Sequence, residues 1–155
     1  MNDIVILNLE GAFRGKGWQG PTLSGSLRGV TAKEAATPPG KGRKTIWDHT
    51  LHAAYWKYVV RRRLTGEKRG SFPLAGSNWF KRPGLATPAA WKADLALLDQ
   101  EHKAMRKVVA GLSSASFGRR APDGKTTIGH LVRGIAAHDL YHAGQIQALK
   151  RLCPY

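Results

Sequence analysis

Three stretches of this chain return their apolar residues every three or four positions, and none alternates them every second position. Between Thr45 and Leu64 the series Ile46, His49, Ala53, Trp56, Val60 and Leu64 keeps that spacing, while Lys57, Arg61 and Arg62 fall elsewhere. Such a period lays one stripe of side chains along one face of a helix of about five turns. Gly66 stands where a C-terminal cap is expected, and Arg61 to Arg63 suit the negative end of the helix dipole. Thr87-Pro88 reads as an N-cap followed by a first-turn proline. It opens a second helix to about Leu112, with Trp91, Leu95, Leu98, Met105 and Val109 on the core face. A third helix starts at Thr126 or Thr127 and runs to Leu152 along Ile128, Leu131, Ile135, Ile146 and Leu149, with Pro154 ending it.

Residues 1–43 are so rich in glycine and proline that any helices there are expected to be short and interrupted. The best candidate spans Pro21 to Ala36, turning Leu23, Leu27 and Val30 inward, and Pro38-Pro39-Gly40 stops it. The span from Thr65 to Thr87 reads as a long loop, and a loop beyond about 15 residues in a compact domain is usually functional or mobile. Together these elements predict an all-α four-helix bundle in a single domain over residues 1–155, with no sheet.

Composition narrows the class. With 42% hydrophobic residues the chain can build a core, which excludes a disordered basic tail. Its 25 Lys and Arg against 10 Asp and Glu give a formal charge of +15. Such a surface attracts anions but names no fold. No apolar stretch approaches the roughly 20 residues that span a bilayer. The start at Met1-Asn2-Asp3 lacks a basic leader pattern, so a cytoplasmic protein is expected, with no membrane association. One cysteine, Cys153, closes no intrachain disulfide and reads as a bystander.

Histidine placement carries the chemical signal. His138 and His142 are an i, i+4 pair on the last helix, about 40° apart around its axis. His49 and His52, at i, i+3, fall within the apolar arc of the Thr45–Leu64 helix. Two imidazoles at i, i+4 can share one metal, and a core-facing histidine on a neighbouring helix can supply a third ligand. A single buried histidine is usually hydrogen-bonded filler. Four on two inward faces each bury a polar ring that needs a partner. His102, between Glu101 and Lys103, is expected to be solvated, and His130 lies two turns, roughly 12 Å, from His138. His138-Asp139-x-x-His142 has the outline of the zincin motif, but aspartate reaches less far than glutamate, and no His, Asp or Glu follows His142.

The run Leu51-His52-Ala53-Ala54-Tyr55-Trp56-Lys57, then Arg61-Arg62-Arg63-Leu64-Thr65-Gly66-Glu67, and Gly134-Ile135-Ala136-Ala137-His138-Asp139-x-Tyr141-His142-Ala143-Gly144-Gln145-Ile146, closely resembles the DinB-like (DinB/YfiT) superfamily. Trp18-Gln19-Gly20-Pro21 is similar to that family's entry to its first bundle helix, with Gln19 where relatives often carry histidine. The resemblance implies a four-helix bundle, often a homodimer, holding a divalent metal through one histidine of the second helix and two of the last. On this chain those are His52, His138 and His142, with His49 as alternative or neighbour. Zinc or nickel is the expected metal, and imidazole also suits iron and copper. Three neutral imidazoles leave coordination positions open, as catalytic sites do. A water acidified on such a metal could attack an electrophile, as in a metal-dependent hydrolase, and some relatives use low-molecular-weight thiols in S-transferase or isomerase reactions, so the resemblance implies a hydrolase or thiol S-transferase acting on a small anionic or thiol substrate. Asp139, Tyr141 and Gln145 are placed to orient ligands or substrate, or else belong to the helix surface or a dimer contact. Trp56 reads as core.

The competing class is a basic nucleic-acid or anion-binding module without catalysis. Between Lys57 and Arg82 eight basic residues face one acid, 8 − 1 = +7, interleaved with Tyr58, Phe72, Trp79 and Phe80. That composition suits phosphate contacts with base stacking. No helix-turn-helix or zinc-finger pattern accompanies it, and the same loop is equally placed to cover the metal site.

Overall fold

The computed structural model describes residues 2–80 and 85–153. Lys81, Arg82, Pro83, Gly84 and Pro154, used in the sequence reading, lie outside them. Six α-helices follow in order: α1 Asn2–Phe13, α2 Leu23–Ser26, α3 Ala32–Ala36, α4 Ile46–Thr65, α5 Pro88–Ala110 and α6 Ile128–Leu152, with one 3₁₀ turn at Ser114–Ser116. There is no strand among the described residues; Arg120 and Thr127 make an isolated antiparallel bridge. The architecture is all-helical, as expected, and no described helix is long and apolar enough to cross a membrane.

Local chemistry explains the long helices. Thr45 and Asp48 form a reciprocal capping box at the start of α4: the Thr45 hydroxyl accepts from the Asp48 N–H, and the Asp48 carboxylate accepts from the Thr45 N–H at 2.8 Å. Thr87 caps α5 ahead of Pro88, and Thr127 caps α6 by accepting from the His130 N–H. Gly66 ends α4 at φ 77°, and its N–H donates to the Arg62 carbonyl at 2.9 Å. That left-handed region disfavours any side chain with a Cβ.

The amino-terminal expectation needs correction. The bundle helix is α1, and Pro21–Ala36 folds as two short pieces rather than one helix. Thr22 and Thr31 each cap a fresh start, and Gly29 between them takes φ 75°. α1 is inconspicuous in the sequence because Gly11, a poor helix former, falls within it. Its neighbours hold it: Leu9, Ala12 and Phe13 are buried.

Contacts set the directions. His49 meets His142 and His52 meets His138, so α4 and α6 are antiparallel. Arg14 pairs with Asp99 and Glu10 with Arg106, so α1 and α5 are antiparallel. Trp47 donates to Asp94 and Arg61 pairs with Glu101, so α4 and α5 run the same way. A chain leaving α4 must therefore travel back about 30 Å, the length of a 20-residue helix, before α5 can begin. This return accounts for the number of residues that separate Gly66 from Thr87.

The core has two apolar halves. One gathers Phe13, Leu23, Trp47, Leu51, Trp91 and Ile146; the other Leu9, Val60, Leu64, Met105, Val109 and Ile135. Each fully buried aliphatic side chain contributes about 1.5–3 kcal/mol. At the level between the halves lie Lys57 on α4, Glu101 and His102 on α5, and Asp139 and His142 on α6, all buried. Lys57 was expected off the core face and His102 in solvent, yet each is 0% exposed. Lys57 Nζ donates to Asp139 at 2.5 Å and sits 4.7 Å from the Phe13 ring centroid. His102 stacks on Phe13 at 3.7 Å and bonds Glu10 at 3.1 Å. Flanking charges in the sequence concealed this layer.

Candidate metal centre

Antiparallel packing of α4 on α6 turns two sequence pairs into one cluster. His52 Nε2 lies 3.1 Å from His138 Nε2, which lies 3.1 Å from His142 Nε2. The three candidate ligand nitrogens are all within 4.8 Å of one another. His49 does not join them. Its Nδ1 lies 2.9 Å from His142 Nδ1, on the side of that ring away from the cluster. His130 is exposed and lies two turns, roughly 12 Å, along α6 from His138.

A backbone carbonyl fixes which nitrogen of His52 is bare. His52 Nδ1 donates to the Asn78 carbonyl at 2.9 Å, so neutral His52 presents an unprotonated Nε2. His49 gives the Nδ1 of His142 a partner and so orients that ring. His138 Nδ1 is buried without a partner among the described residues. Burial holds the rings neutral: His142 is pushed down to about 2, His138 to about 3 and His49 to about 4, with neighbouring imidazoles adding to the effect. His52 is lowered too, by burial first, with the Asn78 hydrogen bond opposing.

The donor set fits a divalent cation. Nitrogens 2.0–2.1 Å from a tetrahedral ion stand about 3.3 Å apart, close to the two 3.1 Å separations. His138 Nε2 has at most one proton and two imidazole nitrogens at that distance, so a proton can satisfy one contact only. A cation among the three satisfies both. Among the described residues no carboxylate enters the cluster: Asp139 is held by Lys57, and Asp48 by the Thr45 cap.

The loop between α4 and α5 roofs the site. Trp79 stacks on His52 with ring centroids 4.0 Å apart and meets His49 edge-on at 5.5 Å. The exposed Lys44 ammonium lies 4.8 Å above the Trp79 ring. Trp56, half-buried, donates to Asn78 Oδ1 at 2.9 Å and stands 6.2 and 6.1 Å from the His52 and His138 rings. Asn78 makes both contacts from a left-handed backbone, φ 64°, which asparagine tolerates well.

Of the other residues singled out in the sequence, Asp139 faces Lys57 inside the bundle rather than the helix surface. Tyr141 is 62% exposed with its ring 5.0 Å from that of His142, and Gln145 is half-buried one turn on. Cys153 is free and buried. In the sequence Trp79 stands only as one aromatic in a basic loop, and nothing local singles out Asn78 on its own. The available signal was the Asn-Trp-Phe triplet inside a loop long enough to reach across the bundle.

Fold and cluster together define a helical bundle with a three-histidine group that could hold a divalent metal. The family model of the DinB superfamily matches residues 19–146, and the chain belongs to that superfamily. Neither the curated proteins nor the solved structures yield a match.

Proposed function

We propose that this protein is a metal-dependent enzyme, a hydrolase or a low-molecular-weight-thiol S-transferase, in which His52, His138 and His142 hold one zinc or nickel ion. The observation that carries the reading is the convergence of three neutral imidazole nitrogens with no carboxylate or thiolate among the described residues to close the shell. When bound, such an ion supplies Lewis-acid activation of a water or thiol. The chain's own residues do the rest. Asn78 fixes the tautomer of His52, His49 orients His142, and Trp79 and Trp56 shield the rings from solvent. Lys44, poised over Trp79 with no ion-pair partner among the described residues, adds positive charge at the approach and favours an anionic substrate.

Less supports a nucleic-acid module. Tyr58 and Phe80 are buried, Phe72 is half-buried, and the three pack on Tyr55 at 5.3–5.9 Å, which leaves few ring faces for bases. A cytoplasmic homodimer completes the reading. Leu7 on α1 and the fully exposed Trp18 line a groove of about 680 Å³ against α6, an apolar surface a second copy would cover. Light scattering at twice 16.9 kDa checks it.

Elemental analysis after mild purification and zinc or nickel reloading is the test. Wild type is expected to retain near one ion per chain, and His52→Ala, His138→Ala and His142→Ala to lose it. His49→Ala is expected to keep the ion with about 10–100-fold weaker affinity. A wild type that holds no ion after reloading sinks the proposal.

A further inference from the structure

A second cavity, of about 400 Å³, opens where the end of α4 meets the turn before α6. Arg62, Arg63, Arg69 and Lys125 line it together with Glu67 and Asp123, a formal balance of 4 − 2 = +2. Both acids are already engaged. Glu67 accepts from Arg61 Nη1 at 2.5 Å, and Asp123 accepts from Arg63 Nε and from the Lys125 backbone N–H. Arg62, Arg69 and Lys125 form no ion pair among the described residues. Arg62 Nε is buried with no hydrogen bond, a donor left unsatisfied. The bland role for last-turn arginines is to complement the helix C-terminus, which carries about half a negative charge. That accounts for less than the surplus, and Arg69 and Lys125 come from outside the helix. Trp56, Val59 and Pro122 add an apolar wall to the same cavity.

We infer that this cavity is a binding site for a small organic phosphate, distinct from the histidine cluster and independent of any ion there. Arginine's planar fork matches phosphate oxygens two at a time. The Trp56 indole offers a face to the organic part of the ligand. A concave site of this volume, with the loop's aromatic rings packed inward, suits a compact anion better than an extended polynucleotide.

Titration calorimetry of the full chain with inorganic pyrophosphate at low salt, before and after chelator treatment, tests the inference. One site per chain is expected, unchanged by chelator and weakened about tenfold or more in Arg62→Ala/Arg69→Ala. Lys33→Ala/Lys107→Ala removes the same charge from exposed positions elsewhere and should leave binding unchanged. Glu67→Gln, at an exposed side chain, frees Arg61 and should tighten binding whether or not the arginine variant folds. Loss of binding with chelator would assign the anion to the histidine site. Equal weakening in both double variants, or failure of Glu67→Gln to tighten, would reduce the cavity to part of a diffuse field. A 12-nucleotide single strand binding over 100-fold tighter than pyrophosphate, with steep salt dependence, would overturn the small-ligand assignment.

Discussion

Separating Lys57 from Asp139 should expose how dry the centre of this bundle is. Both side chains are 0% exposed; Lys57 bonds Asp139 Oδ2, and Asp139 Oδ1 has no partner among the described residues. Removing one member of such a pair typically costs about 3–5 kcal/mol. An independent bound comes from escape by neutralisation. A stranded lysine can shed its proton, which from its ordinary 10.5 costs about 5 kcal/mol at pH 7, so the two figures agree. For a chain of this length that lowers Tm by roughly 10 °C or more. Lys57→Met/Asp139→Leu, which removes both charges, should lie much closer to wild type than either single change.

The single variants should also diverge with pH. Asp139→Asn leaves Lys57, whose proton affinity burial depresses. The unfolded chain then binds the extra proton, and stability relative to wild type rises with pH towards 10.5, by up to about 1.4 kcal/mol per unit. Lys57→Met leaves Asp139, which burial raises above 3.8. There the folded state binds the proton, and relative stability falls as pH rises from about 4. Urea melts at several pH values, in chelator, read both slopes. Slopes of the same sign, or single-variant costs under about 1 kcal/mol, would refute a water-free pair.

Acid should unfold the ion-free protein early. His49, His52, His102, His138 and His142 are all lowered from 6.5, chiefly by burial, so their stabilising contribution is intact above 6.5 and lost as pH falls below it. Five such groups steepen the loss to as much as about 7 kcal/mol per pH unit. Circular dichroism should then show a midpoint between pH 5 and 6, and His102→Gln should flatten the transition by about one proton; a midpoint below 4 contradicts the burial of these rings. Because Trp79 stacks on His52 and Trp56 stands 6.2 Å from the same ring, loading with a quenching ion such as copper(II) should dim the protein's indole emission, and Trp79→Phe should remove a distinct share of that change, with Trp56 carrying the remainder. Equal quenching in the variant would mean that Trp79 does not cover the ion.

Where sequence and structure agree, one periodic signal sufficed. The helices expected over Thr45–Leu64, Thr87–Leu112 and Thr126–Leu152 fold as α4, α5 and α6 within a residue or two, because each joins a clean apolar stripe to a threonine cap. The meeting of His52, His138 and His142 was legible from spacing on two helices together with the resemblance. What stayed hidden depends on distant neighbours. Lys57 and His102 sit among charges in the sequence, and only the approach of α1 and α6 buries them. Asn78 and Trp79 belong to a loop whose path is dictated by the parallel course of α4 and α5, which no local pattern encodes.

Asn78 gives that loop two duties through one peptide group. Its carbonyl keeps the proton on His52 Nδ1, and the residue beside it roofs the ring. Lifting the roof to admit a larger guest withdraws the acceptor that leaves His52 Nε2 bare. Access and grip are thereby set against each other: a guest that displaces this segment would loosen the hold on any ion bound by His52, and one that fits beneath it would leave that hold intact.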